Sequence, residues 1–144
     1  MTESKYIWMD GEFVPWADAK VHVLSHTLHY GNGAIEGTKA YKTVDGRCAI
    51  FKLNEHTKRL LNSSKMTLMN VPFTLEELNK AQIELLQKNE LFDGAYIRPL
   101  VYLGYGVMGL YHKEAPVKVS VSAWEWGAYL GEEGLRKGVR VKIS

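Results

Sequence analysis

The chain has 144 residues, 46% hydrophobic and 24% charged, with a net charge of +2, which is about one domain with enough apolar material for a core. The charge is too small, and no Lys/Arg run gathers it into a stripe, so nucleic acid is not expected as a partner. One cysteine, Cys48, excludes an internal disulfide and fits a reducing compartment, and MTESKYIWMDGEF lacks the apolar run of a signal peptide or membrane span. A soluble cytoplasmic protein is the expectation.

In chain order, residues 6–9 and 12–14 flank Asp10-Gly11, a dipeptide that favours the tight turn matching strand twist, and predict a hairpin closed by Pro15. Residues 36–43 and 47–51 predict a second hairpin around Val44-Asp45-Gly46. A helix follows from Asn54, read as its N-cap, to about Leu68, with Leu53, Leu60, Leu61 and Leu68 inward. Pro72 separates it from a second helix, which Thr74 and Glu77 open as a capping box. That helix is expected to bury Leu75, Leu78, Ala81, Ile83, Leu85 and Leu86 and to stop near Asn89. Residues 94–103 and 117–126 read as long aromatic and β-branched strands, joined by the glycine-containing loop Gly104–Pro116. The ending VRVKIS alternates like a strand just begun, which makes truncation an expectation. Hairpins, paired helices and further strands predict an α+β fold: a mostly antiparallel sheet with two helices packed on one face. The expected division is a small N-terminal domain over 1–130 and the start of a linker or large domain over 131–144.

Several constellations could carry chemistry. The stretch VHVLSHTLHYGNGAIEGTKAY is dense in His, Gly and Tyr. His22, His26 and His29 match no zinc spacing, which favours packed or hydrogen-bonded histidines over metal ligands. Gly31-Asn32-Gly33 permits close backbone approach but is not a dinucleotide fingerprint. Arg59 lies one turn into an amphipathic helix beside inward leucines. Its planar fork suits phosphate, and the plain alternatives are snorkelling to solvent or pairing with Glu55. Period two places Tyr96, Arg98, Leu100 and Tyr102 on one face of their strand, either a binding face or merely the wet side of a sheet. Trp124 and Trp126 share the face of Ser120 and Ser122; they are core, or they wall a pocket with Tyr30, Tyr96 and Arg98. No nucleophilic triad or Walker loop is present.

Together, YIWMDGEFVPWADAKVHVLSHTLHYGNGAIEG, HTKRL, AYIRPLVYLGYGVMG and WEWGAYLG resemble, in order and spacing, the class IV aminotransferases among fold type IV pyridoxal-phosphate enzymes. The resemblance is greatest to the branched-chain amino-acid aminotransferases. It implies that Arg59 binds the phosphate of pyridoxal 5'-phosphate, and that Tyr30 lines the substrate pocket. It also implies that Arg98 receives the side-chain carboxylate of glutamate while Tyr96 helps orient substrate. Trp126 and Tyr129 then complete the apolar wall, Gly37 lies near the ligand, and Met108 and Leu110 sit on a loop reaching the partner subunit's site. Ile35 stands where bacterial relatives often have Phe, and Lys39 where many have Arg. The implied reaction exchanges leucine, isoleucine or valine with 2-oxoglutarate/glutamate, in a homodimer or higher homo-oligomer. The family's Schiff-base lysine would lie beyond Ser144, so no catalytic residue is assigned here and the 144-residue chain alone is expected to be inactive. The rivals are a D-amino-acid aminotransferase, an aminodeoxychorismate lyase, or a non-catalytic ligand-binding or dimerisation module.

Overall fold

The computed structural model describes residues 2–127 and 131–143. Strands β1 (Tyr6–Met9) and β2 (Glu12–Pro15) form the first hairpin. Its two turn residues, Asp10 and Gly11, both have positive φ (49° and 104°), the conformation a two-residue turn needs to follow strand twist. Helix α1 (His26–Tyr30) and strand β3 (Gly33–Ile35) come next, followed by β4 (Thr38–Lys42) and β5 (Cys48–Ile50). Helices α2 (Leu53–Met66) and α3 (Leu75–Asn89) precede the long strands β6 (Ala95–Leu103) and β7 (Val117–Glu125), and α4 (Gly131–Lys137) follows. The seven strands make one antiparallel sheet in the order β2-β1-β7-β6-β4-β5, with β3 also paired to β6. The α+β expectation holds.

Alternation along β6 sends Ala95, Ile97, Val101 and Leu103 to the inner face, where Val119, Val121 and Ala123 of β7 join them. Leu60 of α2 and Leu78 and Leu85 of α3 cover that face, and each such burial contributes roughly 2 kcal/mol. The capping box at the start of α3 is formed: Glu77 N donates to Thr74 Oγ1 (3.2 Å) and Thr74 N to Glu77 Oε2 (2.7 Å). Thr74→Ala should lower stability by about 1 kcal/mol, read as a shift in the denaturation midpoint. An unchanged midpoint would show the cap to be dispensable.

Three helix details and the tail differ from the sequence reading. Asn54 does not cap α2, which starts one residue earlier; its side-chain carbonyl instead accepts from Asn79 Nδ2 (3.1 Å), tying α2 to α3. Leu68 points out, 78% exposed, because α2 ends at Met66 and Leu68 takes φ +60°. Ile83 is exposed, since the buried stripe of α3 runs through Leu78, Ala81, Gln82, Leu85, Leu86 and Asn89 and leaves position 83 at its edge. The tail at 138–143 is irregular and has no strand neighbour among the described residues, so alternation alone does not make it a strand.

Strand β6 is central yet contains Pro99, which has no N–H to give to a ladder. The Pro99 carbonyl accepts from Glu36 N (3.1 Å), but nothing can return to the Glu36 carbonyl from the proline. The facing chain is broken at that point, into β3 before it and β4 after it. Glu36 and Gly37 occupy the gap.

Candidate functional site

The sheet's outer face carries the first part of the site. Tyr96 pairs across to Trp124 and Arg98 to Ser122, so the predicted sharing of a face is correct. Tyr96 packs edge-on to Trp126 (ring centroids 4.7 Å, 85°) and tilted against Trp124 (5.1 Å). Its hydroxyl accepts from Arg98 Nε (3.2 Å) and Nη2 (2.9 Å). Lys39, Tyr96, Arg98, Trp126 and Gly127 line a hollow of about 350 Å³. Arg98 is half-buried there with no carboxylate partner among the described residues. A guanidinium drawn partly out of water without a counter-charge is a receptor for an anion. Gly37 lies beneath the Tyr96 hydroxyl: a Cβ there would fall 2.1 Å from it.

The second part faces the helices. Glu36 is 7% exposed. Arg59 Nε donates to its Oε1, Arg59 Nη2 to its Oε2 (2.8 Å), and His56 Nδ1 to Oε2 (2.8 Å). Burial works to raise the Glu36 carboxyl, but the hydrogen bonds and charges of Arg59 and His56 outweigh it and hold it below the usual glutamate value. The same bonds raise Arg59. Glu55, the alternative partner considered for Arg59, pairs with Lys52 instead (3.1 Å). The head of Arg59 stays 66% exposed and borders a second hollow with Lys52, Glu55 and His56. Lys52, His56 and Arg59 are paired with two acids, Glu55 and Glu36, and the part of the Arg59 fork left exposed to the hollow has the donor chemistry that a phosphate group would meet.

The remaining candidates separate. Ile35 is exposed on β3 opposite Leu100, on the Arg98 side of the sheet. Tyr30 does not line the Arg98 hollow; its hydroxyl accepts from Gly109 N (3.0 Å), between Met108 and Leu110, which are both exposed. Tyr129 lies outside the described residues. The three histidines engage backbone groups: His22 Nδ1 accepts from Leu24 N, His26 Nε2 donates to Gly109 O, and His29 Nε2 donates to Val23 O. Sequence reasoning missed Glu36 and its partner His56. The available signal was alternation: Ala34, Glu36, Thr38 and Ala40 share the buried face, and a glutamate in that row demands a cation.

With this geometry in place, the family profile described as amino-transferase class IV matches residues 33–144. The chain belongs to the class IV aminotransferases. It is 48% identical over 138 residues to the branched-chain-amino-acid aminotransferase of Pseudomonas aeruginosa, covering 96% of this chain and 44% of that protein. It is 42% identical to the protein of the same name from Escherichia coli K12, covering 100% of this chain and 47% of the relative. The chain therefore spans somewhat under half the length of these relatives. The crystal structure of the Escherichia coli branched-chain amino acid aminotransferase superposes with a TM-score of 0.87 at 41% identity, over 92% of this chain and 43% of that one. A branched-chain aminotransferase from the archaeon Thermoproteus uzoniensis, with norvaline, superposes at 0.84 and 37% identity, over 90% and 43%. No helix among the described residues is long and apolar enough to cross a membrane.

Proposed function

We propose that this chain is the substrate-recognising domain of a pyridoxal-phosphate-dependent branched-chain amino-acid aminotransferase, exchanging leucine, isoleucine or valine with 2-oxoglutarate/glutamate in a homo-oligomer. The observation that carries the reading is Arg98, half-buried beside Tyr96 and Trp126 and with no carboxylate partner among the described residues. One pocket must accept both an apolar side chain and a carboxylate. Aromatic walls with Ile35 serve the first, while Arg98, assisted by the positive charge of Lys39, serves the second. Tyr96 orients the guanidinium through its hydroxyl. Met108 and Leu110 add apolar surface from their loop, and Tyr30 belongs with that loop. Arg59, with Lys52 and His56 at its side, would hold the cofactor phosphate, and Glu36 sets the direction of the Arg59 fork. The cofactor, when bound, supplies the electron sink that transamination needs.

The test uses the full-length protein that carries this chain. Arg98→Leu should raise KM for glutamate by roughly a hundredfold and leave leucine within a few-fold, because only the acidic side chain loses a charged partner. Equal losses on both substrates would overturn the role of Arg98. D-alanine turned over in preference to leucine by the unmodified protein would overturn the substrate class.

A further inference from the structure

Helix α1 is only five residues long, yet it fastens the start of the Gly104–Pro116 loop at four points. Leu103 N donates to Thr27 Oγ1 (2.8 Å), and His26 N donates to Gly104 O (3.1 Å). Further along, Gly109 is held through both of its peptide groups: its carbonyl accepts from His26 Nε2 (2.8 Å) and its N–H donates to the Tyr30 hydroxyl (3.0 Å). The two rings that make this clip lie against each other, centroids 4.5 Å apart. A carbonyl can only accept, so Nε2 of His26 donates in this bond. His26 is 1% exposed, and its ring cannot turn without losing that bond. Gly109 has φ +107°, which an L side chain would resist. Its neighbours Met108 and Leu110 both present apolar surface, Leu110 being 87% exposed.

We propose that His26 is a positioning residue for apolar-substrate selectivity: with Tyr30 it clips Gly109 and so sets where Met108 and Leu110 stand. The inference rests on the proposed role of those two side chains in contacting substrate. An exposed loop with two apolar side chains samples many arrangements unless its backbone is held. Fixing both the N–H and the carbonyl of Gly109 removes that freedom at the position between them. The clip acts on where the apolar surface is, and not on the charge at Arg98, so its loss falls on leucine and spares glutamate.

In the full-length protein carrying this chain, turnover of leucine by the unmodified enzyme first establishes that the functional reading stands. His26→Leu should then raise KM for leucine roughly five- to tenfold, the worth of one buried hydrogen bond, with kcat and the glutamate KM within about twofold. Hydrogen exchange at the Gly109 amide should accelerate in the same variant. His26→Gln, which restores an N–H donor at similar reach, should recover both values. Tyr30→Phe, which removes a single exposed oxygen without threatening the fold, should speed the same exchange and raise the leucine KM by a smaller factor. Unchanged Gly109 exchange in both His26→Leu and Tyr30→Phe would overturn the clip. Faster exchange with equal changes in the leucine and glutamate KM would overturn its part in selectivity.

Discussion

Gly37→Ala should cost the full-length protein most of its glutamate-dependent turnover while leaving the domain folded. The added methyl would meet Tyr96 at 2.1 Å from the hydroxyl oxygen, 2.8 Å from Cζ and 3.1 Å from Cε2. No L side chain tolerates such contacts, so Tyr96 must move. It packs against both Trp124 and Trp126, which also touch each other, and its hydroxyl is the group that holds Arg98. Shifting the tyrosine therefore releases the guanidinium and disturbs the aromatic wall in one step. The clash is with the far end of a side chain on the open face of the sheet, so the stability loss should stay near about 1 kcal/mol. A displacement of about an ångström in a binding constellation lowers kcat/KM by on the order of a hundredfold. Kinetics on glutamate, with a denaturation midpoint on the same sample, measure both effects. Normal turnover with normal tryptophan fluorescence would show that Tyr96 does not lie over Gly37.

Glu36→Leu should weaken cofactor binding, because Arg59 and His56 lose the carboxylate that orients them. A charge-assisted hydrogen bond contributes roughly 1.5–3 kcal/mol, so pyridoxal-phosphate affinity should fall between about ten- and a hundredfold. Equilibrium dialysis of the full-length variant reads this directly, and unaltered affinity would remove Glu36 from the phosphate site. The same group predicts a pH dependence for the folded chain. Its pKa is lower folded than unfolded, so its contribution is fully present above the unfolded glutamate value. It is lost as pH falls through the folded one. Denaturation midpoints taken from about pH 7 to about pH 3 should drop less steeply in Glu36→Gln than in the parent.

The parts of the fold that could be read from the sequence are those written in local pattern. Asp10-Gly11 marks a hairpin, Thr74 and Glu77 a helix start, and the alternation of 95–103 separates core from pocket. Helix α1 and strand β3 were not legible because five and three residues are too short to show a period. Leu68 and Ile83 were misplaced for a related reason: a leucine past the last helical turn and an isoleucine at the edge of a stripe look inward to any periodicity. For the site, Tyr96, Arg98 and Trp126 could be grouped by alternation once the strands were aligned. Glu36 could not be joined to His56 and Arg59, 20 and 23 residues away, because local spacing says nothing about which helix crosses which strand. The contact of Tyr30 with Gly109, 79 residues on, was out of reach on the same account.

Pro99 also decides how the 33–42 segment is aligned on β6. A slip of one residue is already forbidden, because it would turn Ala34, Thr38 and Ala40 out of the core and expose their neighbours to it. A slip of two residues keeps every side chain on its own face, so hydrophobic pattern cannot prevent it. It would, however, bring Ala34 or Thr38, now inside a strand, opposite the residue that has no N–H. A ladder carbonyl would then be stranded within the sheet. Only the observed alignment spends the proline on the gap. The missing hydrogen bond thus acts as a selector among otherwise equivalent pairings, and it delivers Glu36 to the helices and Gly37 to Tyr96 in the same stroke.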